Sequence, residues 1–179
     1  HVDNYLSLGC SVLLPEYRGF GRSAGKPGQK VIVSDLLRFY AQVTALPQVD
    51  AQRVILHGRS LGGGVAAQVA LQQRPRLLIL ESTFSSVADL AWQYGAPAWL
   101  CSNPYRTDRA LQQMPGLPVL LLHGRDDTIL PLHHAQTLQR AAPQATFVDF
   151  AAGHNDLPRP SEQGRYWRAI EDKLRAEGL

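Results

Sequence analysis

Residues 53–65 read Arg-Val-Ile-Leu-His-Gly-Arg-Ser-Leu-Gly-Gly-Gly-Val. Three β-formers (Val54, Ile55, Leu56) run directly into Gly58-Arg59-Ser60-Leu61-Gly62, and small, helix-compatible residues follow from Val65 to Leu71. Strand, sharp turn and helix with a serine at the apex is the order that a G-x-S-x-G nucleophile elbow requires. The serine must occupy a strained backbone position to project its hydroxyl above the sheet, and the flanking glycines let strand and helix approach without a Cβ clash. Ser60 is therefore the candidate nucleophile. The plainer alternative is a glycine-rich turn in which Ser60 only caps the helix.

Working outward, residues 2–8 have the pattern of a helix end closed by Gly9, and residues 10–14 (CSVLL) that of a buried strand ended by Pro15. Val33, Leu36, Leu37, Tyr40, Val43 and Thr44 recur at helical spacing, which predicts a helix over 31–46. Beyond the elbow, the helix is stopped by Arg74-Pro75, and residues 77–80 and 118–122 (PVLLL) read as buried strands. A helix is predicted over 132–142, a last strand over 145–150 and a closing helix over 161–177, with Tyr166, Trp167, Ile170 and Leu174 on one face. The stretch 83–114 differs: it carries Trp92, Tyr94, Trp99 and Tyr105, is broken by Pro97 and Pro104, and reads as a cap-like excursion over the sheet edge. Strands that are apolar throughout, alternating with helices, imply an α/β fold: a three-layer α/β/α sandwich on a mainly parallel sheet, forming one domain over 1–179.

Composition narrows the function classes. With 45% apolar residues the 179-residue chain can form a core, and 18 Lys+Arg against 15 Asp+Glu leave +3, scattered without a run. A nucleic-acid surface needs clustered charge, so none is expected. No apolar stretch approaches the roughly 18–20 residues that span a bilayer. Cys10 and Cys101 read as free thiols packing as small hydrophobes. There is no C-x-x-C, and residues 58–64 lack the lysine of a phosphate loop, so neither metal nor cofactor is implied.

A serine nucleophile needs a base, and the base needs a third group to orient it. In the elbow architecture the partners follow in the order Ser, acid, His. Asp127 follows the PVLLL strand in His123-Gly124-Arg125-Asp126-Asp127, and His154 follows the last strand in Gly153-His154-Asn155-Asp156. Both lie just past strand carboxyl ends, where functional loops of parallel sheets converge. His1 is terminal, His57 sits on the elbow strand, His123 opens the acid loop, and His133-His134 begin a helix as surface or packing residues.

Taken together, Glu16-Tyr17-Arg18-Gly19-Phe20-Gly21-Arg22-Ser23, the elbow, Glu81-Ser82-Thr83-Phe84-Ser85-Ser86, the H-G-x-x-D-x-x-V-P-like box and the G-H-N-D loop resemble the serine-hydrolase branch of the α/β-hydrolase superfamily, most of all its ABHD-type, often membrane-anchored members. The resemblance implies Asp127 as the acid, with Asp126 as fallback and Glu81 as a distant third. It implies acyl transfer on an ester or thioester, with the Leu61 N–H as oxyanion donor and with Tyr17 beside a small-molecule or acylated substrate; Trp92 and Trp99, where the superfamily places its cap, either line that substrate's site or simply pack the excursion onto the sheet. It also implies a location that is cytoplasmic or on the cytoplasmic side of a membrane, reached through a preceding segment. An aminopeptidase-like serine peptidase and a non-catalytic hydrolase-fold binding domain are the alternatives. The family sheet has eight strands in the order 1-2-4-3-5-6-7-8, of which this chain offers five, the fourth to the eighth. The H-G-N loop with the second oxyanion donor lies upstream, so the chain reads as the C-terminal part of the fold. Without the third family strand, residues 10–14 must either slide over to pair with the elbow strand or leave a gap.

Overall fold

The structure, a computed structural model, describes residues 1–93, 95 and 101–179. Helix α1 (Val2–Ser7) and the long α2 (Gln29–Thr44) precede the first strand, β1 (Ile55–Arg59). The elbow helix α3 (Leu61–Gln73) ends where Arg74 turns into the left-handed region (φ 48°) ahead of Pro75. Then come β2 (Leu77–Glu81), the short helices α4 (Val87–Gln93) and α5 (Thr107–Gln112) of the excursion, β3 (Val119–Gly124), α6 (His133–Ala141), β4 (Thr146–Phe150) and α7 (Gln163–Ala176). The four strands form one parallel sheet in the order β1-β2-β3-β4.

Side chains alternate across a strand with period two, and here both faces are covered, which is why the strands read as continuous apolar runs. Leu78 and Leu80 of β2 and Val119 and Leu121 of β3 point into one core, against Ala67 and Ala70 of α3, Leu111 of α5 and Leu138 of α6. Leu77, Ile79, Leu120 and Leu122 point into the other, against Tyr5 of α1 and Tyr166, Ile170 and Leu174 of α7. Ile32 and Val33 of α2 pack on Val65 and Val69 of α3 together with Phe84 and Tyr105. The α/β/α sandwich is thus dictated by β2 and β3, whose every residue is buried.

One expected strand is not there. Residues 10–14 are extended but join no ladder; the main-chain bond recorded there runs from the Cys10 N–H back to the Tyr5 carbonyl. Of the two outcomes open to this segment, the gap is the one observed. It lies against the second core only through Cys10 and Val12, leaving Leu13 and Leu14 56% and 74% exposed. A strand needs a neighbour to satisfy its backbone groups, and β1 is an edge of the sheet among the described residues. Both cysteines are free, and no helix among the described residues is long and apolar enough to cross a membrane.

Candidate active site

The turn between β1 and α3 holds Ser60 at φ 52°, ψ −121°, a conformation that L-residues rarely adopt. Three contacts keep it there. The Ser60 N–H donates to the Glu81 carbonyl at 3.0 Å, the Thr83 hydroxyl donates to the Ser60 carbonyl at 2.7 Å, and the absence of a side chain at Gly58 admits the Gly62 carbonyl, whose oxygen lies 2.2 Å from where a Cβ would stand. Leu61 opens α3, so its N–H belongs to the first turn, where no intrahelical acceptor is available. It lies beside the serine at the positive end of the helix.

The loop after β3 carries Asp127, with its side chain fully buried. Its Oδ1 accepts the backbone N–H groups of Ile129 (3.0 Å) and Leu130 (2.7 Å), which fixes the carboxylate plane and leaves Oδ2 directed at the neighbouring loop. There the His154 Nδ1 lies 2.8 Å from Asp127 Oδ2, and His154 Nε2 lies 3.1 Å from Ser60 Oγ. A carboxylate can only accept, so Nδ1 carries the proton and, in the neutral ring, Nε2 is free to accept the serine hydroxyl proton. Gly124 makes the approach of the two loops feasible: a Cβ there would stand 2.2 Å from the Ala152 carbonyl oxygen. Across that seam Arg125 N–H bonds the Phe150 carbonyl and Asp126 N–H the Ala152 carbonyl.

His123, buried at the end of β3, donates from Nε2 to the Leu130 carbonyl at 2.7 Å and braces the acid loop from within. Burial lowers its pKa, so it is neutral beside Asp127. Asp126 points away: its side chain is 60% exposed and faces Arg159 at 3.6 Å. Glu81 is fully buried, but its partners are Tyr166, His57, His1 and Arg59 rather than His154. The structure therefore brings together Ser60, Asp127 and His154 and leaves both alternative acids outside the hydrogen-bonded chain.

Tyr17 sits over the elbow, its hydroxyl 3.3 Å from the position of a Cβ on Gly62, half-buried and with its pKa raised by that burial. Trp92 lies on α4 and is 71% exposed. Trp99, with Tyr94 and Leu100, lies outside the described residues. Tyr105 is core, packed with Phe84 against Gly64. No group of His, Cys, Asp and Glu among the described residues is arranged to hold a metal ion.

With the geometry in place, comparison with known proteins is informative. The family model described as serine aminopeptidase, S33, matches residues 2–113, more than half of the chain and including the elbow. The chain belongs to this α/β-hydrolase family. Among its relatives, the α/β hydrolase domain-containing protein WAV2 of Arabidopsis thaliana is 32% identical over 183 residues, covering 90% of this chain and 59% of WAV2. Protein bem46 of Schizosaccharomyces pombe is 29% identical, with coverages of 71% and 45%, and the Escherichia coli K12 protein YfhR is 30% identical, with coverages of 83% and 57%. This ABHD-type α/β hydrolase thus spans about half the length of the relatives it matches. Among solved structures, DcsB in complex with a substrate analogue superposes with a TM-score of 0.80 at 17% identity, over 98% of this chain and 84% of that one. An esterase of Pyrococcus furiosus gives 0.71 at 17% identity, over 98% and 73%. At that identity the likeness is one of fold.

Proposed function

We propose that this α/β hydrolase transfers the acyl group of an ester or thioester to water through Ser60, Asp127 and His154. The observation that carries this reading is the continuous chain from Asp127 Oδ2 through the His154 ring to Ser60 Oγ, at 2.8 and 3.1 Å. The second distance is within reach for proton transfer from a nucleophile to its base, and the first for the bond that orients that base. As Ser60 Oγ bonds to the acyl carbon, its proton passes to His154 Nε2, and Asp127 stabilises the imidazolium that results. The Leu61 N–H meets the developing oxyanion. Collapse of the tetrahedral intermediate expels the alcohol or thiol, which takes the proton from Nε2. Water then adds to the acyl-enzyme with His154 as base, releasing the acid and restoring the Ser60 hydroxyl.

A second reading, an aminopeptidase-like serine hydrolase cleaving an amide, has the description of the matching family model in its favour. It uses the same three residues, and the two readings separate on substrate. A fluorophosphonate probe should label the purified chain and fail to label Ser60→Ala. Ester and thioester series of increasing acyl length, run beside aminoacyl arylamides, then distinguish the two substrate classes. Equal labelling of the wild-type and Ser60→Ala chains would overturn the assignment of the nucleophile.

A further inference from the structure

The residue just before the nucleophile, Arg59, has no part in the chemistry proposed above, yet it touches the histidine loop and the last residue of the neighbouring strand β2. Its Nη2 donates to the main-chain carbonyl of His154 at 2.6 Å, across a separation of 95 residues. Its Nε lies 3.4 Å from Oε1 of Glu81, a carboxylate with no solvent exposure. Glu81 Oε2 is well provided for, with the Tyr166 hydroxyl at 2.8 Å and His57 Nε2 at 3.1 Å. Oε1, in contrast, is buried without a hydrogen-bond donor. A buried carboxylate is costly unless its charge is compensated, and Arg59 is the permanent cation facing that oxygen. The two residues are also register partners across β1 and β2, and the Glu81 main-chain carbonyl accepts the Ser60 N–H.

We infer that Glu81 and Arg59 form a positioning pair, in which the buried carboxylate holds the guanidinium at the sheet's carboxyl edge so that it clamps the backbone of His154 over Ser60. The inference rests on the reading of His154 as the base of Ser60. Asp127 fixes the ring of His154 through Nδ1, and the Asp126 N–H holds the loop at the Ala152 carbonyl, but neither bond holds the main chain at His154 itself. The Arg59 bond supplies an anchor at the His154 carbonyl, approaching from the nucleophile's own strand. Serine and histidine are thereby referenced to each other without passing through the acid loop. Arginine suits this task because its planar fork can face a carboxylate with one edge and a carbonyl with another, whereas a lysine ammonium is a single point charge. Arg59 is 43% exposed in its side chain, so replacing it leaves both cores intact.

Arg59→Gln should lower kcat for ester hydrolysis by between ten- and about a hundredfold, the scale set by a misplacement near 1 Å, with KM changed by less than about threefold. Its thermal midpoint should fall, because the buried Glu81 carboxylate loses the cation that compensates it, and Glu81→Gln in the same chain should restore part of that loss. Arg59→Lys should recover only part of the rate. Glu81→Gln, combined with Arg59→Gln, should cost little beyond the single changes, because both act through one device. The second measurement is independent of turnover: the low-field proton resonance of the His154 Nδ1–H···Asp127 bond should shift or broaden in Arg59→Gln while amide signals of the two cores remain in place. A wild-type kcat in Arg59→Gln, or a fall confined to KM, would overturn the inference. If the wild-type chain turns over no ester, thioester or amide, the hydrolase reading is what fails; an unmoved His154 resonance in Arg59→Gln then rejects the clamp on its own.

Discussion

Replacing Asp127 by asparagine isolates what the carboxylate contributes, because the structure dictates which way the amide must face. Oδ1 accepts two backbone N–H groups, at 3.0 and 2.7 Å, and Oδ2 accepts the His154 Nδ1–H at 2.8 Å. An asparagine that turned its NH2 toward Ile129 and Leu130 would set donor against donor twice in a fully buried place, at a cost of about 1–3 kcal/mol per unsatisfied group. The opposite orientation keeps both loop bonds and sets the NH2 against His154 Nδ1. The ring then bonds well only by giving up its Nδ1 proton and carrying it on Nε2, the nitrogen that should accept from Ser60. The fold is retained and the base is in the wrong tautomer, which in a serine protease with this constellation lowers kcat by about 10⁴. Hydrolysis of a short-chain aryl ester at neutral pH, with urea unfolding in parallel, measures both halves. Asp127→Asn should lose about three to four orders of magnitude in rate while its unfolding free energy changes by less than about 2 kcal/mol, the two loop bonds being preserved. Activity within tenfold of wild type would refute the reasoning, and so would collapse of the fold.

Asp126→Asn, beside it, removes an exposed carboxylate that faces Arg159, and both rate and stability should stay close to wild type, within about 0.5 kcal/mol by unfolding. Gly124→Ala puts a methyl group 2.2 Å from a carbonyl of the histidine loop. Chemical denaturation should show a loss of about 1–3 kcal/mol or more, with activity falling as the Asp127 and His154 loops are forced apart. Acid should also weaken the fold through His134, which is fully buried, has its Nδ1 2.9 Å from the Ser85 hydroxyl, and has its pKa lowered by burial to about 4. The unfolded chain takes up this proton below pH 6.5 and the folded chain only near 4, so stability present at pH 7 is lost as the pH falls through that window. Urea unfolding at pH 7 and 5 should differ by about 2 kcal/mol from this residue alone, with His123 adding a loss of the same sign, and His134→Gln should flatten the dependence.

The parallel sheet was legible because residues 77–80 and 118–122 are apolar throughout, and the elbow because Gly58 and Gly62 flank a serine between a strand and a helix, with Gly58 admitting the Gly62 carbonyl where a Cβ would stand. The order of Ser60, Asp127 and His154 pointed to the chain of hydrogen bonds that the structure then displays. Residues 10–14 misled for a physical reason: an apolar run signals burial, whereas a strand also requires a partner edge, and pairing is not written in the run itself. The roles of Arg59 and Glu81 were hidden for a similar reason. Glu81 ends an apolar strand and looked like a spare acid; only the register of β1 against β2 reveals that it faces the residue before the nucleophile. Trp92 was equally opaque, since an aromatic on a short helix has no period long enough to show whether it turns inward.

The position of each site residue within the sheet has a dynamic consequence. Ser60 follows β1 and His154 follows β4, the two margins of the order β1-β2-β3-β4, while Asp127 follows the interior strand β3. The margins are only half-covered, in contrast to the complete burial of β2 and β3. Local opening draws on the least-covered segments first. Amide exchange should therefore rank the strands before Ser60 and His154 as faster than the one before Asp127, so that the spacing of these three side chains is lost from the sheet's borders while its centre is still folded.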